Sequence, residues 1–174
     1  MKKCLIVVDY QIDFVTGALG FPESEALERG IAEKIGQYRD CGGEVVFTFD
    51  THSHDYMDTQ EGRSLPVPHC IKGTEGHALF GAPAGLALES DRKFLKNTFG
   101  SDDLYAYLKQ QPFESIELVG VVSNICVISN AILAKTAQPE TPIIVDARCS
   151  ASNDSRLHQA AMDVMASLQI EVTV

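Results

Sequence analysis

Two runs of the chain, Lys3-Cys-Leu-Ile-Val-Val-Asp9 and Gly43-Glu-Val-Val-Phe-Thr-Phe49, are apolar at both odd and even positions. A strand with one wet face alternates, so this pattern predicts strands covered on both faces, as in a parallel sheet between helix layers. Between them, the segment from Glu23 to Tyr38 repeats its apolar residues at Leu27, Ile31, Ile35 and Tyr38. That spacing stacks them on one helical face, and Gly42-Gly43 supplies the stop. The alternation resumes with strands at 93–96, 115–122, 142–145 and 170–174, and with helices at 101–110, 124–136 and 154–168. Strand and helix in turn predict an α/β fold: a doubly wound, mostly parallel six-stranded sheet with helices on both faces. The stretch from Asp50 to about Ser90 breaks the rhythm. It shows little periodicity and holds four of the five histidines, His52, His54, His69 and His77. A loop this long inside a compact domain is uncommon and is usually functional where it occurs.

Composition narrows the function. A chain of 174 residues most simply forms one domain, spanning 1–174, and buries roughly 70% of the surface its unfolded form exposes. Its apolar runs are far too short to span a membrane, and the basic start Met1-Lys2-Lys3 lacks a small-residue cleavage site, so a cytoplasmic protein is expected. A formal net charge of −10 repels nucleic-acid backbones and anionic lipid surfaces, leaving a small molecule or another protein as partner. The five cysteines, Cys4, Cys41, Cys70, Cys126 and Cys149, form an odd set without C-x-x-C spacing. Neither a disulfide framework nor a thiolate zinc site is indicated.

Candidate chemistry gathers at the predicted strand ends. Cys126 stands where the run Ile116–Val122 gives way to a helical pattern, so its thiol faces the unpaired N–H groups of a helix start, which favour thiolate. A lone cysteine is more often a small buried hydrophobe, so its company decides. Asp9 ends the first strand, Asp50 follows the second, Lys96 ends the third, and Cys126 lies just past the fourth. Open α/β sheets bind ligands outside the carboxyl ends of their strands, and all four residues fall on that rim. A cysteine nucleophile needs a proton acceptor and a cation, which Asp9 and Lys96 supply. A second group, Asp50, His52, Glu61 and His69, offers two imidazoles and two carboxylates. That set suits a divalent metal, zinc first and iron or manganese as alternatives, with water in open positions. His54, Asp55 and Asp58 compete as ligands, and an Asp-x-His dipeptide alone is as often a turn. His77 and His158 are assigned no role.

Taken in order, these segments resemble the nicotinamidase and isochorismatase-like family of cysteine hydrolases across essentially the whole chain. Leu5-Ile-Val-Val-Asp9-Tyr-Gln-Ile-Asp13-Phe14 is similar to the family's opening strand with its catalytic Asp. Phe49-Asp50-Thr-His52 and Pro66-Val-Pro-His69 resemble the metal-ligand motifs of the nicotinamidase branch, and Glu61 lies where some members place a carboxylate ligand, while Asp58 is near the position where others place a third histidine. Lys96-Asn-Thr-Phe-Gly-Ser resembles the catalytic lysine motif, and Gly120-Val-Val-Ser-Asn-Ile-Cys126 the nucleophile motif. The resemblance implies Asp9, Lys96 and Cys126 as the catalytic set. It also implies a cis peptide between Val121 and Val122, an oxyanion site formed by the N–H groups of Val122 and Cys126, and a dimer or tetramer. Phe14 keeps one wall of the substrate pocket, while the aromatic residue usual before the last metal ligand is replaced by Leu65 or Pro66. The activity implied is hydrolysis of a small amide to acid and ammonia through a Cys thioester, with nicotinamide to nicotinate first. A maleamate- or ureidoacrylate-type substrate for the same residues, or a non-catalytic binding relic of the fold, are the alternatives.

Overall fold

The structure, a computed structural model, describes residues 1–174. Six strands build one sheet: β1 (Cys4–Val8), β2 (Glu44–Asp50), β3 (Arg92–Lys96), β4 (Ile116–Val121), β5 (Ile143–Ala151) and β6 (Glu171–Thr173). Their order is β3-β2-β1-β4-β5-β6, and every pairing is parallel. The chain therefore winds outward from β1 in both directions, and strand order reverses between β1 and β4. All five residues of β1 and all six of β4 are buried, which accounts for the unbroken apolar run of β1 and for a β4 that is apolar everywhere but at Glu117.

Eight helices connect the strands: α1 (Ile12–Val15), α2 (Pro22–Glu25), α3 (Glu28–Asp40), α4 (Gln60–Ser64), α5 (Gly81–Leu86), α6 (Asp102–Gln110), α7 (Ile128–Ala137) and α8 (Ser155–Ser167). Two apolar layers result. One packs α6, α7 and α8 against Ile6, Val8, Leu118 and Val145. The other packs α3 and the chain after β1 against Leu5, Val7, Phe47 and Val119. Adjacent strand residues face opposite layers, as the period of two requires.

Several elements depart from the expected bounds, each for a local reason. The helix expected over Glu23–Tyr38 is two. Pro22 opens a separate turn in which the Ser24 hydroxyl bonds the Phe21 carbonyl at 2.6 Å, and α3 begins only after Leu27. β5 runs to Ala151, well past Val145, because Asp146 is buried with ion-pair partners, so a charged residue continues the strand. The stretch after Asp50 is not structureless: it holds α4, α5 and two short 3₁₀ turns, with the Thr59 hydroxyl capping α4 through the Gly62 N–H at 2.9 Å.

Candidate active site

The carboxyl ends of β1, β2, β3 and β4 bring the predicted residues into one cluster. Asp50 pairs in register with Lys96 across β2 and β3, and Asp9 follows β1 directly. Lys96 is the hub: its Nζ lies 2.6 Å from Asp9 Oδ2, 3.4 Å from Asp50 Oδ1 and 3.6 Å from Cys126 Sγ. All four residues are buried, Asp9 completely. An ammonium in such a place loses its hydration and must be held by negative charge. Burial works against the charge on Lys96, but Asp9, and after it Cys126 and Asp50, raise its pKa above the ordinary value.

The thiol behaves differently from the sequence expectation. Cys126 sits in a wide π-helical turn over Ser123–Val127, and α7 starts only at Ile128, so the thiol precedes the regular helix. Burial pushes its pKa well above the ordinary value, Asp9 pushes it further the same way, and Lys96 opposes both. A resting thiol beside a carboxylate results. Asp9 is itself raised by burial, with Lys96 working against that rise. The peptide between Val121 and Val122 is cis, and Val122 and Cys126 line the same cavity.

Beside this cluster, Asp50 Oδ2 lies 3.0 Å from His52 Nε2 and 3.3 Å from His69 Nε2. The ligand atoms of Asp50, His52 and His69 all fall within 4.8 Å of one another, and the three residues are buried. His69 Nδ1 contacts the Val67 carbonyl at 2.8 Å, which turns Nε2 toward the cluster, and Tyr56 packs edge-on against both imidazoles. Glu61 stands apart from this compact set, its Oε1 3.8 Å from Nε2 of each histidine. Two imidazoles and a carboxylate converging with open directions are a donor set that fits a borderline divalent ion. Burial resists charge on Asp50, but the two histidines and Lys96 hold its carboxyl well below the ordinary range.

Both features open on one cavity of about 240 Å³. Phe14 and Leu65 line it, together with Leu19, Phe21, Phe99, Val122 and Ile125 as apolar walls. Asp50, Glu61, His69, Cys126 and Asn153 supply the polar positions. A mostly apolar pocket with a few converging polar groups is the form of a small-molecule site.

Further contributors had no role of their own assigned from the sequence, although Gln11 and Asp13 lie within the opening motif. Gln11 clamps the end of β2: its Oε1 accepts the Asp50 N–H at 2.8 Å, and its Nε2 donates to the carbonyls of Asp50 and His77, each at 2.9 Å. Asp13 Oδ2 accepts the Cys70 N–H at 2.7 Å and so fastens the segment that carries His69. His77 meets the Thr51 hydroxyl at 2.8 Å, and His158 meets the Ser123 hydroxyl at 3.0 Å, in the turn that holds Cys126. Each bond joins residues too far apart in the chain for spacing to reveal.

A parallel α/β sheet with an acid, an amine and a thiol at its switch point, next to a three-donor cluster, defines a class of small-molecule cysteine site. The isochorismatase domain family matches residues 3–174, and the chain belongs to that family. An isochorismatase family protein of Bacillus subtilis is 32% identical over 143 residues, covering 76% of this chain and 78% of its own. A nicotinamidase/pyrazinamidase of Mycobacterium tuberculosis is 27% identical over an aligned length of 186, covering 98% of this chain and 97% of its own. The crystal structure of a nicotinamidase from Bacillus subtilis superposes with a TM-score of 0.87 at 29% identity, covering 100% of both chains.

Proposed function

We propose that this protein is a cysteine amidohydrolase that converts a small aromatic amide, nicotinamide first, to its acid and ammonia. The observation that carries the reading is the Lys96 ammonium in contact with both Asp9 and Cys126, beside a cavity that Cys126 lines together with Asp50 and His69 of the metal-type donor set. Relatives of the same length named for nicotinamide hydrolysis support it.

In this reading Asp9 takes the thiol proton and becomes neutral, while Lys96 balances the new negative charge on sulfur. The Cys126 thiolate attacks the amide carbonyl carbon, and the N–H groups of Val122 and Cys126 receive the oxyanion. Asp9 returns its proton to the departing nitrogen, ammonia leaves, and a thioester stays on Cys126. Water then attacks the thioester carbonyl with Asp9 accepting a proton, and the thiol is restored as the acid departs. Phe14, Phe99 and Leu65 cover a flat ring by apolar contact and keep bulk water away from the sulfur. Asp50, His52 and His69 would hold the divalent ion, zinc by the donor set, with Glu61 a ligand directly or through water. When bound, the ion supplies a Lewis-acidic anchor for a ring nitrogen.

The test is ammonia release from nicotinamide, pyrazinamide and several linear amides, with and without chelator. Turnover of the aromatic amides, lost in Cys126→Ala, is expected. Turnover of linear amides alone would replace the substrate assignment, and full activity in Cys126→Ala would remove the mechanism.

A further inference from the structure

Thr48 lies on β2, fully buried and 39 residues from Asp9 in the chain. Its hydroxyl donates to Asp9 Oδ1 at 2.6 Å and accepts the Asp9 backbone N–H at 3.2 Å. The Thr48 carbonyl accepts the same N–H at 3.2 Å. A threonine hydroxyl has one proton to give. With the Asp9 N–H already pointing at the oxygen, that proton is directed to Oδ1. The two oxygens of the carboxylate are thereby made different. Oδ1 is occupied by Thr48, whereas Oδ2 faces Lys96 at 2.6 Å and, although buried, receives no well-aligned hydrogen bond. Asp9 also stands at φ 45°, a left-handed backbone position that side chains rarely adopt, so its carboxylate is aimed by the chain as well as by its partners. Valine would satisfy the apolar strand pattern at position 48 with the same shape. The hydroxyl therefore has its use in the bond to Asp9, not in the packing of β2.

Resting on the amidohydrolase reading, we propose that Thr48 is a positioning residue that holds Asp9 by Oδ1, so that Oδ2 is the oxygen that exchanges the proton with Cys126. The proton leaves Sγ and bonds to Oδ2, the S–H electron pair stays on sulfur as thiolate, and Asp9 becomes a neutral acid still bonded to Thr48 through Oδ1. Without the hydroxyl, the carboxylate is free to rotate and bring both oxygens to the Lys96 ammonium, which draws Oδ2 away from the thiol.

The experiment compares Thr48→Val and Thr48→Ser in the full-length protein, reading kcat, KM and the rate at which iodoacetamide alkylates Cys126. Thr48→Val is expected to lower kcat by ~10–100-fold with KM changed by less than about twofold, because the lost contact aims a proton acceptor and does not bind substrate. Thr48→Ser, which keeps the donor, is expected to retain at least about a third of native kcat. The alkylation rate is then measured in a cycle with Asp9→Asn. Thr48→Val should slow alkylation in the native background and change it by less than about twofold when Asp9 is already Asn, since the effect passes through that carboxylate. Equal slowing in both backgrounds, native kcat in Thr48→Val, or a Thr48→Ser variant as poor as Thr48→Val would each overturn the proposal. Thr48→Ala replaces Thr48→Val in every comparison if the valine variant does not fold. If the native protein releases no ammonia from any amide, the amidohydrolase reading falls, while the alkylation cycle still reads the coupling of Thr48 to Asp9.

Discussion

At Lys96 a demand of stability and a role in the proposed chemistry meet in one side chain. Its ammonium is buried between Asp9 and Asp50, so removing it leaves two carboxylates facing each other without a cation. Breaking a buried ion pair from one side costs about 3–5 kcal/mol, and Lys96→Met is expected to lose that much stability together with all turnover. Cys126→Ala removes a single uncharged atom from the same cluster and should shift stability by less than about 1 kcal/mol while abolishing turnover. Urea midpoints measured beside ammonia release separate the two, and equal midpoints would show that Lys96 is not the electrostatic hub. Asp9, Lys96 and Cys126 were legible in the sequence because each falls at the end of a readable apolar run. Thr48 was not, and Gln11 showed only as a member of the opening motif, without a role. Inside a strand a threonine reads as a β-former and a glutamine after it as a loop residue. Their hydrogen bonds to Asp9 and Asp50 span 39 residues each and exist only once β1 and β2 pair.

At the level of elements, the site depends on how closely the strand ends approach and how firmly the long connection after β2 is tied down. Gly120 on β4 has φ 117°, and a Cβ built there would lie 2.1 Å from the Val8 carbonyl oxygen of β1. Gly120→Ala must push those two strands apart beneath the turn that holds Cys126, and a loss of more than about 3 kcal/mol is expected from strain in a packed region. Thermal denaturation checks it, and an unchanged midpoint would mean that the strands can shift freely. The segment bearing His69 is fastened by Asp13 through the Cys70 N–H. Asp13→Ala should therefore weaken divalent-ion affinity by ~10–100-fold, the usual effect of losing a group that orients a ligand. Competition against a chromogenic chelator measures it, and native affinity would show that the His69 segment holds itself in place. The element pattern was readable wherever hydrophobic period alone decides, as in β1, β4 and α8. It misled where polar bonds decide. Ser24 closes a turn that splits the expected helix, and buried Asp146 lets β5 continue through a charged residue.

Across the whole molecule, acid acts in two opposing ways, relieving general repulsion while it removes specific pairs. The net charge is −10, so partial protonation of exposed carboxylates reduces self-repulsion as pH falls and by itself favours the compact state. Against this stands Asp146 on β5, buried between Lys34 of α3 at 3.0 Å and Arg148 at 2.8 Å. Burial resists its charge, but Arg148 and Lys34 win and hold its carboxyl at about 2, below the ordinary 3.8. A depressed folded pKa adds stability that is fully present above the unfolded value and is lost as pH falls through the folded one. The contribution of Asp146 should therefore disappear between about pH 4 and about pH 2. Lys34 marks the opposite limit. Burial resists its charge, yet Glu117 at 2.5 Å and Asp146 raise it above its ordinary 10.5, so its contribution holds at neutral pH and is lost only as pH rises past that value. Urea midpoints should form a plateau across the neutral range and fall steeply below about pH 4. Asp146→Asn tests the assignment, because it leaves Lys34 with Glu117 alone. The variant should be weaker than the native protein by about 1–3 kcal/mol at neutral pH, the worth of hydrogen bonds to a charged group, and the difference should close as the pH approaches 2. A gap between the two proteins that stays constant down to acid pH would show that Asp146 contributes through packing alone and that the acid limit belongs to other carboxylates.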